Sequence, residues 1–187
     1  MIRRLTLIAL TTALLIATTG GTASATHYHH LLAPSTSCPN QTNASLTTTD
    51  QETAMRCMHN YARAKVGRSA LRSNSLVANS SDGKSYDILR CQAFSHTACG
   101  RSMLYHFKRV GYTSCSTWRA AENIAWGSGS YGTVRSRMSG WLHSDGHRKN
   151  ILSSSYRDLG IGLKKGTFKG YSGAQIWTGH FGYRSGC

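Results

Sequence analysis

Six cysteines, Cys38, Cys57, Cys91, Cys99, Cys115 and Cys187, all lie beyond residue 25 of a 187-residue chain. An even count predicts three disulfides if the chain reaches an oxidising compartment, and cross-links at that density restrict the fold to arrangements that bring six positions together in pairs. Count alone leaves every pairing open. Loop closure favours near neighbours, so Cys38–Cys57 and Cys99–Cys115 are expected. The second would contribute about 3 kcal/mol in the chain-entropy account, and Cys91–Cys187 then follows only by elimination. No Cys-x-x-Cys pair occurs, which argues against a zinc ribbon or a thioredoxin-like redox site.

The N-terminus supplies the compartment. Arg3 and Arg4 precede the apolar run Leu5 to Ile16, and Ala23-Ser24-Ala25 places small residues where a signal peptidase reads. This pattern predicts cleavage after Ala25 and a secreted, extracellular protein. The apolar run is short for a membrane span, and no later segment reaches the roughly 20 apolar residues that a spanning helix needs. The expected division is a signal peptide at 1–25, an N-terminal arm at 26–48 and a single domain at 49–187. Lys and Arg total 22 against 7 Asp and Glu, a formal net charge of +15. Such a balance suits lipid headgroups, cell-wall polymers or another anionic surface. The basic residues are scattered and no specific nucleic-acid motif accompanies them.

Residues 26–48 are rich in Thr, Ser and Asn and read as an extended arm, tied down if Cys38 is bridged. His27, His29 and His30 fit a flexible terminus better than a metal site. A capping-box pattern at Thr49 and Glu52 marks the start of a helix, in which Ala54, Cys57, Met58, Tyr61 and Ala62 recur at helical spacing before Gly67. Ser75 to Cys91 is a weaker helical pattern, interrupted by Ser80-Ser81-Asp82-Gly83. Met103, Leu104, Phe107 and Val110 predict a third helix ended by Gly111. Val134, Met138, Trp141 and Leu142 predict a fourth. The last third changes period: Leu159, Ile161 and Leu163 alternate, and Ile176, Trp177 and Phe181 follow Gly-rich turns, as strands do. Helices followed by a late run of strands indicate an α+β or layered fold.

Three islands concentrate chemistry: Phe94-Ser95-His96, Ala121-Glu122-Asn123-Ile124-Ala125-Trp126-Gly127, and Trp141 to Leu152 with His143, Ser144, Asp145 and His147. Glu122 lies between apolar residues, and an unpaired buried carboxylate would cost several kcal/mol. His96 or His147 is therefore its expected partner. Two imidazoles and a carboxylate can also hold Zn²⁺ with an open position for water. A triad of Ser144, His147 and Asp145 is disfavoured, because the residues adjoin one another and no Gly-x-Ser-x-Gly elbow exists.

Taken in order, Cys57-Met58-His59-Asn60 with Ala64 and Gly67, Phe94-Ser95-His96, Ala121-Glu122-Asn123-Ile124-Ala125, Trp141-x-x-Ser144-x-Gly146-His147-Arg148-x-Asn150-Ile151-Leu152, Gly160-Ile161-Gly162 and Phe181-Gly182 resemble the CAP/SCP superfamily (cysteine-rich secretory protein, antigen 5, pathogenesis-related 1) in its bacterial extracellular form. The resemblance runs from about residue 50 to 184. It implies a three-layer α-β-α sandwich with a cleft lined by a His/Glu tetrad. His96, Glu122 and His147 fall on tetrad positions, and the fourth, a glutamate in eukaryotic members, is Ser144. Asp145 replaces a usual proline and Ala121 a usual glycine. His96 and His147 are the candidate metal ligands and Glu122 the candidate catalytic base.

The resemblance implies a secreted binding role more than an activity, since one fold hosts many functions. The expected function is a non-enzymatic extracellular binding module whose His/Glu cleft can hold a divalent metal, with Zn as the candidate ion. The alternative is a metal-assisted, peptidase-like hydrolase of extracellular peptides or wall polymers. A secreted ribonuclease-like enzyme is a third possibility, against which the ordered islands argue.

Overall fold

The computed structural model describes residues 28–187, so the expected signal peptide and His27 lie outside the described residues. Helix α1 (Thr48–Lys65) is capped by Thr47, two residues before the expected Thr49, and the cap uses other residues. Thr47 Oγ1 accepts from the Asp50 backbone N–H and its hydroxyl donates to the Asp50 carboxylate at 2.7 Å. Glu52 instead turns to the sheet and accepts the Leu163 N–H at 2.9 Å. The arm ahead of α1 packs in: Leu31, Leu32, Ala33 and Cys38 are buried in the main core, and the Cys38–Cys57 bridge ties it to α1.

Helix α2 (Ser75–Arg90) runs unbroken through Ser80-Ser81-Asp82-Gly83. Ser80 and Ser81, with Ser85 one turn on, are buried because they bond across to the sheet rather than break the helix. Ser81 Oγ donates to the Gly160 carbonyl and Ser85 Oγ to that of Gly162, each at 2.9 Å. The helix lies flush on the strand only because those two positions lack side chains. A Cβ on Gly160 would fall 2.2 Å from the Val77 backbone, and one on Gly162 2.4 Å from that of Ser81. Helices α3 (Met103–Arg109), α4 (Val134–His143) and α5 (Asp145–Leu152) follow.

The sheet has four strands in the order β1 (Arg72–Ser73), β3 (Asp158–Phe168), β4 (Tyr171–Ser185), β2 (Thr117–Gly127), antiparallel apart from the short parallel β1–β3 edge. The alternation read at Leu159 and Ile176 lies in β3 and β4. Strand β2 was not expected: its inner half, Ala121 to Ala125, is buried on both faces and so carries no period-two signal. Helices α1, α4 and α5 cover one face of the sheet, and α2 and α3 the other. The architecture is the α+β, three-layer α-β-α sandwich.

The disulfide scheme needs correction at two of its three bridges. Cys38–Cys57 forms as expected, but the others are Cys91–Cys99 and Cys115–Cys187. Cys91 caps α2, and the chain turns back at once to Cys99. Cys115 precedes β2, whose first residue pairs with Ser185 near the end of β4, so the C-terminal Cys187 arrives beside it.

Candidate functional site

Glu122 stands in the middle of β2, directly opposite His180 of β4. Both are buried, at 5% and 0% exposure. The His180 Nε2–H donates to Glu122 Oε2 at 2.7 Å, and the His96 Nδ1–H donates to Oε1 at 2.6 Å. On the far side of His180, Nδ1 meets Ser80 Oγ of α2 at 2.8 Å, and Phe107 stacks on the ring at 4.4 Å. The result is a chain, Ser80–His180–Glu122–His96, that starts in the core and ends in a half-exposed imidazole. Lys84, also on α2 and buried, brings its ammonium within 3.9 Å of Glu122 Oε1.

Electrostatics follow from this geometry. Burial alone would raise the Glu122 pKa, but the hydrogen bonds from His180 and His96, with help from the Lys84 charge, hold it at about 2. Burial lowers the His180 pKa, against the pull of Glu122. A neutral His180 that donates through Nε2 and accepts the Ser80 hydroxyl at Nδ1 satisfies both ring nitrogens.

The loop that carries His96 is fixed at both ends. Cys91–Cys99 closes it. Beyond Cys99, Arg101 forks onto the buried Asp87 of α2 at 2.8 and 2.9 Å, and His106 of α3 adds a third contact to the same carboxylate at 2.9 Å. His147 comes from α5, whose position is set by two amides: Asn123 Nδ2 donates to the His147 carbonyl at 3.0 Å, and Asn150 Nδ2 donates to Asn123 Oδ1 at 2.9 Å. Burial lowers the His147 pKa, the nearby His96 lowers it further, and its Nδ1 is buried without a hydrogen-bond partner.

His96, Glu122, Ser144 and His147 line one cleft, with Lys149, Asn150 and Tyr156 on its rim and a volume of about 510 Å³. Ser144 and His147 also line an adjoining pocket of about 280 Å³ walled by Phe94, Trp126 and Trp141. Thus the sequence-predicted set comes together. Asp145 does not join it: its carboxylate is 93% exposed and paired with Arg148. Among the described residues, no three His, Cys, Asp or Glu side chains are arranged to hold a metal.

Sequence reasoning missed His180, Lys84 and Ser80. The signal for His180 was present, because it alternates with Ile176 and Thr178 along β4 and therefore faces the same helix layer as they do. Lys84 does lie on the stripe of Val77, Ser81 and Ile88, but a lysine set among serines there does not announce a buried charge.

The family model for CAP, the cysteine-rich secretory protein family, matches residues 57–181. Two Bacillus subtilis proteins are similar in sequence. The uncharacterized membrane protein YlbC is 32% identical over 106 residues, covering 57% of this chain and 29% of that protein. The uncharacterized protein YkwD is 30% identical over 122 residues, covering 65% and 43%. The chain thus spans less than half the length of either relative. Among solved structures, an extracellular protein containing an SCP domain from Bacillus anthracis superposes with a TM-score of 0.58 at 24% identity, over 75% of this chain and 44% of that one. The matched span takes in the strand carrying Glu122, the loop carrying His96 and the helix carrying His147, and the chain belongs to the cysteine-rich secretory protein (CAP) family.

Proposed function

We propose that this protein is a secreted, non-enzymatic binding module whose cleft holds a divalent metal through His96 and His147. One observation carries the reading: both carboxylate oxygens of Glu122 are taken, one by His96 and one by His180. A carboxylate so engaged and held at about pKa 2 is a poor acceptor for a proton at neutral pH. What it does well is orient His96. By accepting from Nδ1, Glu122 fixes the tautomer that leaves Nε2 as the ligating nitrogen, the outer-shell arrangement typical of metal-bound imidazoles. His147 lines the same cleft. The donor set therefore fits a two-imidazole site, one ligand short of the usual three plus water. A Zn²⁺ held there would supply Lewis-acid polarisation of a bound group. The likeness to an extracellular protein containing an SCP domain and the expected signal peptide support secretion.

Calorimetry with Zn²⁺ tests the reading. The wild type should bind modestly, and His96→Ala/His147→Ala should abolish the heat. Metal-dependent cleavage of casein or peptidoglycan that is lost in Glu122→Gln would overturn the non-enzymatic half and establish the hydrolase. Equal binding by the double variant would move the ion to the arm histidines His27, His29 and His30.

A further inference from the structure

Six cationic side chains converge at one pole of the sheet. Lys65 closes α1 and Arg68 follows it. Arg72 lies in β1, Arg157 immediately precedes β3, Arg119 is near the start of β2 and Arg184 near the end of β4. The strand register places the strand arginines in a row along the strand ends, with Arg184 turned to the α2–α3 face over Tyr112 and Arg119 to the opposite face: Arg72 opposite Asp158, Asp158 opposite Gly182, Trp118 opposite Arg184 and Arg119 opposite Tyr183. Arg157 belongs to the same row through its backbone N–H, which donates to the Gly182 carbonyl at 2.8 Å. Four strand ends at about 4.8 Å spacing give an arc roughly 15 Å long. Arg68 joins it from the end of α1: its backbone N–H donates to the Arg63 carbonyl at 2.9 Å, and the Arg63 guanidinium reaches the Ser153 carbonyl, next to the Ser154 carbonyl that holds Arg157.

Among the described residues, acidic side chains leave most of the arc uncompensated, with Arg72 alone ion-paired, at 3.0 Å. Its one acid, Asp158, is 2% exposed and already accepts from Tyr112, Arg72 and Asn74. The other acids are committed elsewhere: Asp50 and Glu52 as described for α1, Asp82 to Lys164, Asp87 to Arg101 and His106, Glu122 in the cleft and Asp145 to Arg148. The guanidiniums are also presented in defined planes. Arg119 lies over the Tyr183 ring at 5.1 Å and Arg184 over Tyr112 at 5.0 Å. Arg157 is braced on the Ser154 carbonyl at 2.7 Å.

These features select a partner. Five of the six cations are arginines, which read tetrahedral oxyanions in a bidentate way that lysine cannot. Among the described residues, Val66 is the one exposed large apolar side chain at this pole, too little to wedge into a bilayer. The rings of Tyr183 and Tyr112 carry arginines on their faces rather than offering them to bases, the platform that single-stranded nucleic acid requires. We infer that this strand-end arc docks a linear, base-free polymer bearing repeated phosphates, of the polyol- or sugar-phosphate type, independently of the His/Glu cleft.

Fluorescence anisotropy with labelled inorganic polyphosphate tests this on the disulfide-bonded protein. If all six cations contact phosphate, log K should fall against log salt with a slope of about −4 to −5. Arg68→Gln/Arg119→Gln removes two guanidiniums that hold no backbone carbonyl, so folding is spared. It should flatten the slope by about two and weaken binding at least tenfold near 0.1 M salt. Arg90→Gln/Lys169→Gln removes the same charge at the opposite pole and should change affinity less than twofold. Absence of binding, or equal loss in both double variants, overturns the proposal. So does binding of single-stranded DNA or phosphatidylglycerol vesicles as tight as that of polyphosphate.

Discussion

Glu122 and Lys84 are mutually dependent. The ammonium has no hydrogen-bond partner and is buried on α2, with Glu122 at 3.9 Å as its near counter-charge. Burial lowers the Lys84 pKa, while Glu122 and Asp87 oppose that shift. Replacing Glu122 by the near-isosteric amide keeps the shape of the site but strands a buried cation. Glu122→Gln should therefore lower stability to urea by about 3 kcal/mol. Adding Lys84→Met removes the orphaned charge and should return part of that loss. A double variant no more stable than the single would mean that the cost lies in the histidine bonds instead. At this scale the sequence was legible for His96, Glu122 and His147, because each belongs to a motif with characteristic neighbours. Lys84 and Ser80 were not legible as site residues, because they reach Glu122 and His180 only once α2, continuous through Ser-Ser-Asp-Gly, is laid against Gly160 and Gly162.

Helix α2 and the loop behind it show how elements position the site. Helices α1, α3 and α4 announce themselves by apolar spacing and α2 only weakly, β3 and β4 do so by alternation, and α5, which carries His147, was not expected as a helix. Strand β2 stays hidden because a strand buried on both faces has no polar side to alternate with. The disulfides failed for a different reason. Loop closure ranks partners by separation, and by that criterion Cys91–Cys99, eight residues apart, outranks Cys99–Cys115; consistent use would have left Cys115 for Cys187. The corrected pairing ranks the bridges. With sequence separations of 8 and 72, the chain-entropy relation gives about 2.5 kcal/mol for Cys91–Cys99 and about 4.4 kcal/mol for Cys115–Cys187. Cys115→Ser/Cys187→Ser should thus be the more destabilised protein in urea. Cys91→Ser/Cys99→Ser, though more stable, should be the one that loses Zn²⁺ affinity, because it frees the loop that presents His96. The opposite order on either measurement would show that β2–β4 pairing or the Arg101–Asp87 fork, rather than the bridge, holds the element in place.

Across the whole molecule, the sandwich encloses imidazoles in its layers as well as in its cleft. His59 on α1 is fully buried against Trp141 and Phe181, with its Nδ1–H donating to the Met55 carbonyl at 2.8 Å and its Nε2 unpartnered. His106 and His180 are buried on the other face of the sheet. In all three, burial lowers the pKa, to about 4 for His59, where Arg63 adds to the effect and the Met55 bond opposes it. The unfolded chain would take up protons near pH 6.5 that the folded chain refuses, so the unfolded state binds more protons and stability rises with pH across this window. For His59 the contribution is complete above pH 6.5 and is lost as pH falls toward 4, an effect of about 3 kcal/mol. Glu122 has the same sign in a lower window, its contribution present above pH 4.5 and lost as pH falls toward 2. The protein should therefore weaken in two acid steps, the first set by histidines. His59→Phe keeps the aromatic packing against Trp141 and Phe181 and removes one titrating ring. Urea unfolding across pH 7.5 to 4.5 should show a slope shallower than wild type by about one proton, roughly 1.4 kcal/mol per pH unit at its steepest. An unchanged slope would mean that the folded state admits the proton on His59, and would place the acid sensitivity at His106 and His180.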